Sequence, residues 1–446
     1  MALRLGDPAA PLLLAVRGGS VFSMPGMLST VVFAGMTDAV AEALACEDEW
    51  FAWDSFRRFL VSYAAAVWHM DLEELDLVEK AKQRNDVMLK TNLSGEAMRE
   101  VVEASKEAIR AAGHAEHLDA ILMDAELQIK NAMRAVHRSW DAKRARDYRA
   151  IKHVSDCWHT AVIIQQMACG NRSNQEELKA GMNEMQISLT GVIPSTRVST
   201  MGFRTFTGDV KFSACGDDLV GGLTAARSFE PVQELRAQAP MLERKLNHIS
   251  ARLRRFLGSD AEIEFTVERG LLSILQTRSA EMEHHFSPRT FENPGPADGR
   301  GIGISGGAFR GVIAFNADDV SHVVAAGAHS QPGVDGILLV LENPIPDEIP
   351  LILSVDGLLA ARGGSTSHAA VAVHGIDDKQ YTAVLGVAEL RVSANEATLV
   401  RPDGGPAHIL RRGDTVSIHG QTGEVFAGSR PVLETVSFSK TRAEHK

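Results

Sequence analysis

The sequence predicts a mixed α+β and α/β protein of two or three domains. Three observations predict it. The chain has 446 residues, more than one ordinary domain holds. From about Thr37 to Arg149 apolar positions recur at helical spacing with few breakers. From Thr160 onward the texture changes to short β-like runs separated by glycine turns.

Composition narrows the function classes. Apolar residues make up 45% and charged residues 23%, enough to bury full cores. A net charge of -11 argues against a dedicated nucleic-acid binder, while a local Arg-rich site could still hold an anion. Cys46, Cys157, Cys169 and Cys215 form no CxxC pair. That spacing speaks against structural zinc and a disulfide framework, and fits a reducing cytoplasm. No apolar run has membrane-spanning length.

Along the chain, Pro11 to Val16 reads as a buried strand ending in the loop Arg17-Gly18-Gly19-Ser20. Ser23-Met24-Pro25-Gly26-Met27 reads as a turn. A helical subdomain follows over about 40–150, with one helix starting after Ser94, whose hydroxyl can cap it. Pro231 to Leu257 reads as one long helix. Ile263–Val267 and Leu271–Gln276 read as a hairpin turning at Gly270. Residues 281–300, with Pro288, Pro294-Gly295-Pro296 and the pair His284-His285, read as an exposed linker. The last domain, 301–435, shows strand-like runs at Val312–Phe315, Ile337–Leu341, Leu358–Ala361 and Ala383–Gly386. It adds one evident helix near Ser367 and a closing hairpin over 416–425, and 436–446 is a tail.

One segment carries chemistry. In Arg362-Gly363-Gly364-Ser365-Thr366-Ser367-His368-Ala369-Ala370, a strand runs into two glycines, three hydroxyls and a histidine that opens a helix. Glycines let backbone approach a ligand closely. A helix N-terminus offers unpaired N–H groups and a positive dipole end, which suit phosphate and disfavour an imidazolium. His368 could then accept a phosphoryl group on a ring nitrogen. The same residues could equally form a capped helix start whose histidine merely packs.

The segment resembles the swivelling phosphohistidine domain of the pyruvate phosphate dikinase and phosphoenolpyruvate synthase family. Its Gly-Gly-x-Thr-Ser-His-Ala-Ala run stands at Gly363 to Ala370. Pro346-Asp347-Glu348-Ile349 and Ile304-Ser305-Gly306-Gly307-Ala308 also fit. The first part, 1–280, resembles the family's ATP-grasp nucleotide domain. Val16-Arg17-Gly18-Gly19, Ser23-Met24-Pro25-Gly26-Met27 and Asp54-Ser55-Phe56-Arg57-Arg58-Phe59 match in order. Arg138-Ser139-Trp140-Asp141, Thr160-Ala161-Val162, Ile263-Glu264-Phe265-Thr266 and Leu275-Gln276-Thr277-Arg278 continue the series. The implied fold is a partial ATP-grasp domain with a helical subdomain, followed by a swivelling β/β/α phosphohistidine domain.

The resemblance implies roles. His368 would carry phosphate, helped by Thr366 and Ser367. Arg17, Arg278 and Arg197 would contact ATP phosphates. Glu264 and Gln276 would hold Mg2+, with Glu262 as an auxiliary acid. Strand alternation agrees, placing Glu262 and Glu264 on one face and Gln276 and Arg278 on the facing one. A surface ribbon with a Glu–Arg pair would show the same alternation. Three departures qualify the match. The family's Gly-Gly-Lys lobe has no counterpart here, the acidic Gly-Glu-Asp segment reads Gly216-Asp217-Asp218, and Pro194 to Thr207 diverges. No segment corresponds to the phosphoenolpyruvate/pyruvate barrel, which would need about 250 residues.

The expected function is therefore an ATP-dependent phosphotransferase that phosphorylates its own His368 and passes the phosphate to a small-molecule or protein acceptor. A non-catalytic or split-enzyme subunit is the second expectation. It would bind nucleotide and need a partner chain to supply a lobe or an acceptor domain. Neither nucleic acid nor membrane is an expected partner.

Overall fold

The computed structural model describes residues 2–21, 24, 26–172, 187–193, 196–198, 204–206, 209–216, 239–258, 261–279, 289–364, 367–376, 379–402 and 404–433. The side chains of 196–198, 204–206, 209, 278 and 279 are outside that description. The fold is mixed α/β.

Its first part is built on a three-stranded antiparallel sheet with Leu14–Gly19 between Thr30–Ala34 and Ala161–Gln166. Val16, Val31 and Phe33 are fully buried on one face. They pack with Phe51, Phe56, Phe59, Tyr63, Met98 and Val101 from the helical segment. Alternation therefore sends Arg17 to the opposite face. The first strand extends through Gly18-Gly19, where the sequence suggested a loop. Cross-strand packing explains it. A Cβ on Gly19 would lie 2.7 Å from Ile163 Cδ1, and one on Gly18 would lie 2.5 Å from Leu28 Cδ1. The glycines make room for neighbours rather than for a turn.

Between the second and third strands runs the helical segment. Its helix Gly95–Ile109 begins at Ser94, whose Oγ accepts from Ala97 N at 3.1 Å. The Asp54-Ser55-Phe56-Arg57-Arg58-Phe59 motif lies in helix Glu49–Tyr63. Asp54 is fully buried there and receives Arg58 Nε at 2.7 Å, Lys90 Nζ at 2.9 Å and Asn171 Nδ2 at 3.0 Å.

A second antiparallel sheet orders Asp209–Phe212, Leu189–Ile193, Ala261–Glu268 and Leu271–Ser279. The hairpin turns at Arg269-Gly270, both at positive φ. Helix Pro240–Leu257 packs against it and starts at a proline, which pre-sets the first helical turn. The rest of the expected helix, 231–238, lies outside the described residues.

The last domain is built on an eight-stranded mixed sheet, beside a three-stranded antiparallel one of Leu390–Val392, Glu396–Leu399 and His408–Arg411. Ala308–Ala314, Gly336–Leu341, Gly357–Ala360 and Thr382–Leu385 run parallel at the centre of the larger sheet, flanked by antiparallel strands. Among the described residues three α-helices accompany it, Ala317–Ala325, Ile349–Ser354 and His368–His374, where the sequence showed one. The first two hold nine and six residues, too short for a clear periodic signal.

Part of the expected linker belongs to this domain. Thr290–Phe291 pairs with Val432–Leu433, and Gly299–Arg300 pairs with Glu424–Ala427. Arg289 Nη2 also donates to Asp335 Oδ1 at 2.8 Å. Proline and glycine enrichment could not reveal pairing between residues 124 to 143 positions apart in sequence.

Candidate functional site

The histidine loop is shaped by backbone constraints. Gly363 has φ of 111°, a region that side chains with a Cβ avoid. Ser367 caps the helix His368–His374. Its Oγ donates to Gly364 O at 2.9 Å and accepts from Ala370 N at 3.3 Å. Ser367 is buried, so its hydroxyl sets the loop and the helix start. Thr366 lies outside the described residues. His368 is half-buried at the first helical position.

The histidine faces the first part of the chain. A Cβ built on Gly26 would lie 3.1 Å from His368 Nδ1 and 2.8 Å from Pro346. The loop carrying Gly26 leaves the strand that carries Arg17. An apolar seam holds this arrangement, with Met24, Met27, Trp140, Ala145 and Tyr148 in one buried cluster with Ile349, Ile352, Ala369, Ala372 and Val373. Polar contacts frame it. Arg144 Nε donates to Met27 O at 3.1 Å, Arg144 Nη1 meets Asp347 Oδ1 at 3.2 Å, and Lys152 Nζ donates to Gly375 O. Beside Asp347, burial pushes the Glu348 carboxyl above its usual range, against the Ile345 N–H it accepts.

These contacts explain the Arg138-Ser139-Trp140-Asp141 motif. Trp140 is buried in the seam. The Arg149 guanidinium lies over its ring at 4.2 Å and donates to Trp140 O at 2.6 Å. Ser139 Oγ accepts from Ser29 N at 3.0 Å.

Arg17, Gln276 and Glu264 come together where the two small sheets meet. Hairpin register sets Glu264 opposite Gln276 and Glu262 opposite Arg278. Glu264 and Gln276 are half-buried, whereas Glu262 is only 2% exposed. Arg17 Nη1 donates to Gln276 Oε1, and Arg17 Nη2 donates to Gln165 Oε1 at 2.9 Å and Leu275 O at 3.2 Å. The structure thus brings Arg17, Gln276 and Glu264 to one seam. The Arg278 and Arg197 side chains lie outside the described residues. Gln165 was missed from the sequence. The matching stretch ended at Val162, and nothing in a lone glutamine marks it until the pairing of Arg17 with Ile163 is known.

The residues present fit magnesium. Opposite each other in the hairpin register, Glu264 brings a carboxylate and Gln276 an amide oxygen that accepts from Arg17; both are the hard donors that Mg2+ prefers, usually with phosphate oxygens completing the shell. Among the described residues no cluster of three or more His, Cys, Asp or Glu forms a metal cage.

Comparison with known proteins follows the same division. Residues 333–423 match the family described as PEP-utilising enzyme, mobile domain. The chain is 33% identical to the chloroplastic pyruvate, phosphate dikinase of Mesembryanthemum crystallinum, over 97% of this chain and 46% of that protein. It is 28% identical to pyruvate, phosphate dikinase of Clostridium symbiosum, over 95% of this chain and 49% of the relative. The Rhizobium meliloti enzyme is 31% identical over 96% and 49%. The chain thus spans about half the length of the curated relatives it matches. Among the described residues no helix is long and apolar enough to cross a membrane. Related along nearly its whole length to about half of a dikinase, with the histidine loop inside the matched mobile domain, the chain is a relative of the pyruvate phosphate dikinases.

Proposed function

We propose that this chain is an ATP-dependent phosphotransferase of the cytoplasm that loads phosphate onto His368 and delivers it to a small-molecule or protein acceptor. One observation carries the reading. The imidazole of His368 is docked against Gly26, on the loop leaving the Arg17 strand, so its Nδ1 faces the part that resembles a nucleotide domain. Arg17, Arg278 and Arg197 would hold the phosphates, and Glu264 with Gln276 would hold Mg2+, whose charge would neutralise the phosphate oxygens. A ring nitrogen of His368 then bonds to the β-phosphorus as the bond to the α,β-bridging oxygen breaks, releasing AMP and leaving a pyrophosphoryl group on the ring; transfer of its γ-phosphoryl to inorganic phosphate or water breaks the β,γ bridge and leaves phosphohistidine. Positioning and charge neutralisation supply most of the catalysis in such transfers. Ser367 sets the loop from which the histidine reacts, and Thr366 would assist the transfer.

The purified chain, given Mg2+ and ATP labelled at the β or γ position, should form an acid-labile, base-stable adduct. Arg278→Ala and Glu264→Ala should each lower the labelling rate by at least about tenfold, with melting temperatures unchanged. Wild-type rates in both variants would refute the nucleotide site.

Docking gives a second prediction. Gly26 has φ of 70°, where a Cβ costs about 1–2 kcal/mol, and the added atom would meet Pro346. Gly26→Ala should slow labelling of His368 about tenfold, since about 1.4 kcal/mol is one decade. ATP affinity should stay within about twofold by calorimetry. An unchanged labelling rate would show that the Gly26 contact is not used for loading.

A second reading has its own observation. Three oxygens of the protein already accept from the Arg17 guanidinium, which leaves fewer donors for phosphate and is compatible with a nucleotide-binding subunit whose catalysis needs a partner chain. Labelling of His368 only after a partner protein is added would favour it.

A further inference from the structure

We infer that Gln165 is a positioning residue that holds Arg17 at the seam between the two small sheets and thereby sets its grip on the triphosphate. The inference rests on the nucleotide site proposed above and adds to it a residue that neither the motifs nor the comparisons single out.

The seam is made by side chains. Ala161–Gln166 forms one edge of the first sheet and Leu271–Ser279 one edge of the second, and no ladder joins them. Leu275 O, on the second edge, receives two donors from the first sheet, Arg17 Nη2 at 3.2 Å and Gln165 Nε2 at 3.2 Å. Gln165 Oε1 accepts from the same Arg17 Nη2 at 2.9 Å. The three groups close a triangle of hydrogen bonds.

Chemistry fixes how this triangle must be arranged. A guanidinium has five N–H donors and no acceptor, and a carbonyl only accepts. The amide oxygen of Gln165 must therefore face Arg17, and its NH2 must face Leu275. A side chain with one acceptor and one donor at that length is glutamine. Glutamate would lose the donor and set a carboxylate against the Leu275 carbonyl, and methionine would lose both.

The triangle determines what Arg17 can do. Its Nη2 is committed to Gln165 and Leu275, and one Nη1 hydrogen to Gln276. Nε has no hydrogen-bond partner among the described residues. The second Nη1 hydrogen is thus directed by a guanidinium plane that Gln165 helps to fix. Gln165 is half-buried, where a lost hydrogen bond to a charged group matters more than on an open surface. Without Gln165, Arg17 keeps its length and charge but loses its orientation, and flexible arginine binds phosphate less well than a preorganised one.

The test is calorimetric titration of Mg-ATP and of AMP into the full chain, wild type and Gln165→Met, with thermal melting of each. The expected result is selective. ATP affinity falls about tenfold, AMP affinity changes by less than about twofold, and melting is unchanged. A merely structural role would weaken both nucleotides together and lower the melting temperature, and would overturn the inference, as would unchanged ATP affinity. In an Arg17→Met background, Gln165→Met should cost no further ATP affinity, because it acts through Arg17; additive losses would overturn it. Gln165→Asn, which withdraws the amide by one methylene, should show the same split between ATP and AMP. No ATP binding by the wild type would refute the nucleotide site and this inference with it. Wild-type binding with an unaffected Gln165→Met would refute this inference alone.

Discussion

His368→Ala is expected to abolish phosphohistidine labelling completely while leaving ATP binding and folding intact. The expectation follows from where the side chain sits. His368 is half-buried at the helix start, and the loop geometry before it depends on Gly363 and the Ser367 cap rather than on the imidazole. Removing the ring leaves the apolar seam of Met24, Met27, Trp140, Ile349 and Val373 in place. Wild type and variant are to be incubated with β-labelled ATP and Mg2+, quenched in base and counted. Parallel calorimetry reports nucleotide binding. Residual label on the variant would assign the carrier to another residue.

Asp54→Ala is expected to destabilise the fold by about 3–5 kcal/mol, the usual loss when one partner of a buried ion pair is removed. Asp54 is fully buried among Arg58, Lys90 and Arg57, with Asn171 on its second oxygen. Burial alone would push its carboxyl up, but the three cations outweigh it and hold it well below its usual 3.8. A carboxyl so lowered stabilises the folded state fully above its usual value. That stabilisation is lost as the pH falls through the folded value. Urea midpoints at pH 7 should drop in Asp54→Ala, and the acid-side decline of the wild type below about pH 4 should be shallower in the variant. Equal midpoints would mean that the cations find water or other partners once Asp54 is gone.

This network also shows how far the sequence could be read. The Asp54 motif was recognisable as a pattern, but its meaning was not. A buried carboxylate joins residues from helix Glu49–Tyr63, from Lys90 and from Asn171, separations that periodicity cannot span. The long helical segment, the Ser94 cap and the hairpin ending at Gln276 were legible because each is set by neighbours within a few residues. Gly18-Gly19 misled for the opposite reason. Their strand conformation is decided by Ile163 and Leu28, which are distant in sequence or across the sheet.

What the sequence by itself determined is the local chemistry. It determined a glycine-rich loop opening a helix at His368, oxygen-bearing residues alternating on a hairpin, and an arginine at the end of an apolar strand. These depend on backbone geometry and residue type over short spans. Only the tertiary structure decided which of them meet. It set Arg17 against Gln276 and Gln165, committed the Ser367 hydroxyl to backbone, drew residues 290–300 into the last domain, and docked His368 on Gly26. The physical reason is that such meetings arise from burying apolar faces that lie far apart along the chain. Trp140 and Met27 find Ile349 and Val373 only when both parts have folded, and the polar contacts at the seam follow from that burial.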